Sequence, residues 1–259
     1  RVVKNVTGYD LSKLVTGSFG TLAALTEVTL KVLPAAEKAR TLLLFGLDDR
    51  AAVAAMSRAL GSAHEISGAA HLPPDIAKGS GVSYIAGAGG AVTALRLEGH
   101  GPSVEARLEA LRGELKDLGQ SEELHSKNTA ALWREIADVT YLVEHADRVV
   151  WKVSVAPTHG PEVVAAITAR VEARYLLDWG GGLILLSMPA GEGGWADELR
   201  GAVAKVGGHA TLLRAPEALR RQISVFHPQP EPLAALTARV KDSFDPRRIL
   251  NPGRMYSGV

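Results

Sequence analysis

The sequence predicts an α+β fold whose middle is two successive β-α-β-β-α-β runs. Three observations carry this. Short apolar or alternating segments of strand length recur from Thr41 to Leu213. Longer amphipathic stretches of helical period separate them. Gly, Pro and Asp punctuate the ends of both kinds of segment, where caps and turns require them.

Taken in order, residues 6–14 suit a short turn or helix, and Gly17-Ser18-Phe19-Gly20 a tight loop. Leu25 to Leu33 alternates apolar and polar residues, which predicts a strand with one wet face. Pro34 ends it, and the charged residues 37–40 mark a boundary. Thr41 to Leu47 is an apolar strand. Asp48 is the N-cap of a helix over 49–60, with Val53, Met56 and Leu60 on one face and Gly61 at C′. Strands are expected at His64–Leu72 and Val92–Glu98, joined by a glycine-rich hairpin connection over 79–90. Ser103–Leu118 is an amphipathic helix, and Ser121–His125 a last short strand. A helix over Thr129–Val143 intervenes. Then come a strand at Val149–Val155 and a helix with Pro161 at N1 running to Ala173. Strands at Tyr175–Trp179 and Leu183–Met188 flank Gly180-Gly181-Gly182. A helix over Trp195–Val206 and a strand at His209–Leu213 close this run. Each run has the split βαβ, or ferredoxin-like, order, giving tandem units over 41–125 and 149–214. Helices over 216–223 and 232–243 and a loop rich in Pro, Asn and Gly form the tail.

Composition narrows function by exclusion. The chain has 259 residues, 29 Lys+Arg against 28 Asp+Glu, and no cysteine. Disulfides, thiolate catalysis and cysteine-held iron–sulfur clusters are therefore excluded within it. A net charge of +1, without aromatics interleaved among basic residues, argues against a nucleic-acid partner. No apolar run reaches the roughly 18–20 residues of a membrane span, and no signal peptide is visible. The chain opens at Arg1, within strand-like sequence, and so reads as a segment of a longer protein.

Catalytic patterns are sparse. The eight histidines are scattered without metal-ligand spacing. There is no nucleophile elbow, and Gly87-Ala88-Gly89-Gly90 lacks the strand-before, helix-after setting of a dinucleotide loop. Glu65, Asp75 and Glu144 show no partner in the pattern that would shift a pKa. The loop Gly17-Ser18-Phe19-Gly20-Thr21 combines glycine-freed backbone N–H groups with two hydroxyls. That suits phosphate or polyol oxygens, and equally suits a structural turn.

Lys4-Asn5-Val6-Thr7-Gly8-Tyr9-Asp10-Leu11, the 17–22 loop and Thr26-Glu27-Val28-Thr29-Leu30-Lys31 together resemble the last part of the FAD-binding domain of FAD-linked oxidases. These form the vanillyl-alcohol-oxidase-like superfamily. Phe244-Asp245-Pro246 and Ile249-Leu250-Asn251-Pro252-Gly253-Arg254-Met255-Tyr256 resemble its C-terminal signature. Within the superfamily the chain is most similar to the FAD-binding (E) subunits of bacterial glycolate oxidase.

The resemblance implies a layout in three parts. Residues 1–36 would close an FAD-binding α+β domain. Residues 41–214 would form the tandem ferredoxin-like cap over the flavin, and 215–259 would return to the FAD domain. Asn5, Thr7, Gly8 and Tyr9, with Gly17, Ser18, Gly20, Thr21 and Asn251, would form the FAD wall; for residues 251–253 a turn that docks the C-terminus is an equal reading. The resemblance also implies oxidation of a small 2-hydroxy acid, glycolate to glyoxylate. The partners would be a catalytic flavoprotein subunit and an iron–sulfur subunit, in the cytoplasm or peripheral on the inner membrane. The first FAD subdomain and its pyrophosphate loop are not in this sequence, so this segment alone is expected to bind FAD poorly and to be inactive. No metal and no catalytic residue is assigned. Position 19 is Phe where many relatives have Glu, so contacts through that side chain do not carry over. The rival reading is a non-catalytic scaffold that docks a catalytic flavoprotein.

Overall fold

The structure, a computed structural model, describes residues 8–259. They fall into two compact units: one comprises the chain through Pro34 together with Ser224–Val259, and the other Ala35–Ile223. In chain order the elements are α1 (Leu11–Val15), β1 (Lys38–Phe45), α2 (Asp49–Leu60), β2 (Ile66–Leu72), α3 (Pro74–Lys78), α4 (Ser83–Ala86), β3 (Val92–Gly99), α5 (Gly101–Glu114), β4 (Ser121–Leu124) and α6 (Ser126–Ala137). They continue with β5 (Arg148–Ser154), α7 (Gly160–Thr168), β6 (Arg174–Asp178), β7 (Leu183–Pro189), α8 (Ala196–Val206), β8 (His209–Arg214), α9 (Glu217–Arg220) and α10 (Glu231–Phe244).

The larger unit is a mixed α+β body on one eight-stranded antiparallel sheet, in the order β4-β1-β3-β2-β6-β7-β5-β8. Each half repeats one connectivity, with its first strand inside, its second at the seam and its fourth at the outer edge. In β1, Leu42, Leu43 and Leu44 are all fully buried. The continuous apolar run reflects helices on both faces of that half, since a sheet covered twice has no wet face for polar alternation. One face packs Leu43, Ala70, Ala94 and Leu124 against Leu132 and Ile136 of α6 and Ile76 of α3. Asp48 caps α2, its carboxylate accepting from Ala51 N at 2.8 Å.

The two halves meet through a single ladder pair, His71 with Leu177. A buried polar chain reinforces this seam. His71 Nδ1 lies 2.9 Å from Thr93 Oγ1, its Nε2 lies 3.3 Å from Asp49 Oδ1, and Tyr175 donates to Asp49 Oδ2 at 2.8 Å. Burial, with the Asp49 carboxylate beside it, pushes the Tyr175 phenol above its ordinary range.

Several expectations are corrected. Residues 25–33 form no strand, and Leu25, Val28, Leu30, Val32 and Leu33 are all exposed. Alternation supplies a face preference but no hydrogen-bonding neighbour, and an unpaired segment is not a strand. The glycine-rich 79–90 stretch is not a plain hairpin connection, because α4 and the end of α3 fold within and beside it. Gly61 ends α2 in right-handed geometry, not as a left-handed C′. The helix expected over 129–143 begins at Ser126 and ends at Ala137, where Val139 turns to φ 55°. The helix after Pro161 stops at Thr168.

Candidate functional site

The site is built in the smaller unit, where residues at the two ends of the sequence meet. Asp10 caps α1, accepting from Lys13 N at 3.2 Å. After α1 the chain enters the 17–21 turn, with positive φ at Gly17 (82°), Phe19 (52°) and Gly20 (75°). Such a run turns successive peptide groups, and glycine adopts it without steric cost. Thr21 Oγ1 donates back to Ser18 O at 2.8 Å and closes the turn.

Two side chains from the tail hold this turn. Asn251 Nδ2 donates to Phe19 O at 3.1 Å. A Cβ added to Gly20 would stand 2.7 Å from that same Nδ2, so only glycine admits the contact. Lys241, fully buried, donates to Thr21 O at 2.7 Å, Asp245 Oδ2 at 2.8 Å and Leu250 O at 2.7 Å. Those bonds use all three donors of an ammonium, the satisfaction that burial of such a group requires. Asp245 also accepts from Ile249 N at 3.1 Å and Leu250 N at 2.7 Å. The Lys241 ammonium first, then these N–H groups, hold its carboxyl down at about 2.

Aromatic rings flank the turn. Phe19 meets Phe226 edge to face, with centroids 4.9 Å apart, and Phe226 lies 5.9 Å from Tyr256. A cleft of about 300 Å³ beside Gly17, Ser18 and Leu22 is walled by Leu233, Leu236 and Tyr256.

Of the residues expected in an FAD wall, Gly17, Ser18, Gly20, Thr21 and Asn251 come together. Thr21 is buried with its hydroxyl spent on the turn, while Asn251 is exposed beside it. Gly8 and Tyr9 lie ahead of α1, with Tyr9 93% exposed. Asn5 and Thr7 lie outside the described residues. Sequence reasoning missed Lys241 and Asp245. Their i, i+4 spacing was the available signal, but such pairs are ordinarily solvated. Glu65, Asp75 and Glu144 do have partners: Arg107 at 3.2 Å, Arg174 at 3.2 Å and Arg174 at 3.9 Å, respectively. Among the described residues no group of three His, Asp or Glu comes together as a metal site, and no helix is long and apolar enough to cross a membrane.

No family model matches the chain. It is 29% identical over 256 residues to the glycolate oxidase subunit GlcE of Escherichia coli (strain K12), covering 99% of this chain and 60% of GlcE. Among solved structures, an alkyldihydroxyacetonephosphate synthase superposes with TM-score 0.63 at 14% identity, over 96% of this chain and 50% of that one. A p-cresol methylhydroxylase with substrate bound gives 0.56 at 13%, over 85% of this chain and 53% of that one. A 4-ethylphenol oxidase from Gulosibacter chungangensis gives 0.54 at 14%, over 87% and 55%. The chain thus spans 60% of this curated relative and about half of these structures. The chain is thus similar to GlcE along nearly its whole length, and it shares the fold of these solved structures.

Proposed function

We propose that this chain is the later part of an FAD-binding subunit of a 2-hydroxy-acid oxidase or dehydrogenase, with glycolate oxidised to glyoxylate. The observation that carries the reading is the Asn251–Gly20 contact. The two sequence stretches that resemble the flavoprotein family, far apart in the chain, fold against each other as one surface. In this reading residues 1–36 and 215–259 belong to the FAD domain. Residues 41–214 are the cap, each half a ferredoxin-like unit.

The residues fit a flavin nucleotide in chemical type. A turn whose successive peptide groups reverse at positive φ suits oxygen-rich groups. Beside it the Ser18 hydroxyl, the exposed Asn251 amide and the flanking rings suit a nucleotide with a planar ring system. When bound, FAD would supply two-electron acceptance from a hydroxy-acid carbon. Gly17, Ser18, Gly20 and Asn251 would hold it, with Asn5, Thr7, Gly8 and Tyr9 adjoining, and Thr21 would hold the turn rather than the ligand. The large exposed apolar side chains of the smaller unit, from Leu25 to Leu33 and at Leu233 and Leu236, would be covered by the rest of the FAD domain. The relative's name, a glycolate oxidase subunit, supports partnership within such an oxidase; the partners the resemblance implies are a catalytic flavoprotein and an iron–sulfur subunit, in the cytoplasm or peripheral on the inner membrane.

The same exposed apolar set favours a second reading, a non-catalytic subunit that docks a catalytic flavoprotein. FAD retention after gel filtration separates the two. The full-length polypeptide is expected to keep flavin and Asn251→Ala to lose it, while the 259-residue segment alone retains little. A full-length protein without flavin that still co-elutes with a flavoprotein subunit would overturn the first reading in favour of the second.

A further inference from the structure

A further side chain from the tail reaches the 17–21 turn, and the function proposed above leaves it without a role. The chain has three methionines. Met56 and Met188 have no exposed surface, whereas Met255 is partly exposed. Its sulfur lies 4.0 Å from Thr21 Oγ1. Its side chain lines the apolar cleft together with Leu22, Leu233, Leu236 and Val240.

The Thr21 hydroxyl has one proton, and that proton is committed to Ser18 O at 2.8 Å. Ser18 O also accepts from Thr21 N at 3.0 Å, so one carbonyl closes the turn twice. A thioether sulfur is a weak acceptor and leaves the proton where it is. A sulfoxide oxygen on the same sulfur is a strong acceptor. Among the described residues, the Thr21 hydroxyl is the donor that reaches this sulfur. An oxygen added there therefore competes with Ser18 O for the proton that closes the turn.

We propose that Met255 is a peroxide-sensitive modification site that governs the 17–21 turn. Hydrogen peroxide transfers one oxygen atom to the sulfur. The O–O bond breaks, an S–O bond forms, the sulfur gives up two electrons, and the second oxygen leaves as water. The apolar thioether becomes a polar sulfoxide, which draws the Thr21 proton from Ser18 O and loosens the turn. Met56 and Met188, closed to solvent, are spared at the dose that converts Met255. A methionine sulfoxide reductase reverses the change. The modification and its effect on the turn belong to the flavin-free chain. Only their consequence, weaker flavin retention by the oxidised protein, rests on the function proposed above.

The test treats the 259-residue chain with a limiting dose of hydrogen peroxide. Peptide mass spectrometry locates the added oxygen, and NMR reads exchange at single amides in the same sample. Met255 should gain one oxygen before Met56 or Met188 gains any. Exchange at the Thr21 amide should then quicken about fivefold, the effect of one lost hydrogen bond. The Leu250 amide, which donates to Asp245, should keep its rate, because the Lys241 junction is untouched. The reductase should restore the original Thr21 rate. Met255→Leu should abolish the peroxide effect on Thr21. Thr21→Val should let Met255 oxidise without further change in the turn. If Thr21→Val does not fold, Met255→Gln, whose amide oxygen is an acceptor like the sulfoxide, should show the faster Thr21 exchange without peroxide. Oxidation of Met56 or Met188 ahead of Met255, an unchanged Thr21 rate once Met255 is oxidised, or equal quickening at Leu250 would overturn the proposal. A full-length polypeptide that binds FAD should release it after the same dose, and its Met255→Leu form should not. Retention by both would overturn the flavin consequence, whereas a full-length polypeptide that never binds FAD counts against the proposed function alone.

Discussion

Nζ of Lys241, with no exposed surface, donates to the main-chain oxygen of Thr21 at 2.7 Å across 220 residues of sequence. With its bonds to Asp245 and Leu250, this one ammonium joins the 17–21 turn, α10 and the tail. The turn therefore takes its shape from a helix far along the chain.

Lys241→Met should release that junction. Two main-chain oxygens and a carboxylate would lose a charged donor together, and unmade buried bonds cost more than made ones contribute. Amide hydrogen exchange is the measurement. Protection of Thr21, Ile249 and Leu250 should fall, while β1, β3, β5 and β7 keep theirs. Unchanged protection at Thr21 would mean the turn stands without the lysine.

Asp245 gives the same junction a pH dependence. Its folded-state pKa of about 2 lies below the reference value of 3.8, so it stabilises the fold fully above the unfolded value. That contribution is lost as pH falls through the folded value, because the unfolded chain binds the proton more readily. Exchange protection at Ile249 and Leu250 should decline as pH falls from about 4 to about 2. Asp245→Asn should show weaker protection at neutral pH and a flatter profile over that window.

Gly17 and Gly20 separate conformation from contact. Both have positive φ, but a Cβ on Gly17 meets nothing within 4 Å, whereas one on Gly20 meets Asn251. Gly17→Ala should cost about 1 kcal/mol, the conformational term alone. Gly20→Ala should cost more, and Asn251→Ala in the same chain should return part of the difference. A double-mutant cycle on denaturant midpoints measures this coupling.

At the seam, Tyr175→Phe removes the bond to Asp49 and should lower stability by about 1 kcal/mol. His71→Leu leaves both Thr93 and Asp49 without their buried partner and should cost more, about 2 kcal/mol. Tryptophan fluorescence follows both, since all four tryptophans lie in the larger unit. Equal effects would mean that His71 contributes no more than the Tyr175 bond.

Much of the larger unit was legible as sequence because the signals are local. Asp48 announced the start of α2, Pro161 the first turn of α7, and the apolar run Leu183–Met188 a strand. Residues 25–33 show the limit. Their alternation is as clear as that of any strand, yet pairing depends on a neighbour that periodicity does not supply. Lys241 shows the converse. As a lysine in a helix it reads as solvated, and only the convergence of two carbonyls and a carboxylate makes burial tolerable.

By itself the sequence determined the order of the eight strands of the sheet and of the long helices between them, the Asp48 cap, the exclusion of thiol chemistry and the family resemblance carried at residues 4–31 and 244–256. These depend on residue type and spacing over a few turns or strands. Tertiary structure alone decided which distant groups meet: Asn251 on the 17–21 turn, Lys241 beneath it, and Asp49, His71 and Tyr175 at the seam. The physical reason is that desolvation and hydrogen-bond satisfaction are properties of the assembled surroundings, and no local pattern records which distant chain will provide them.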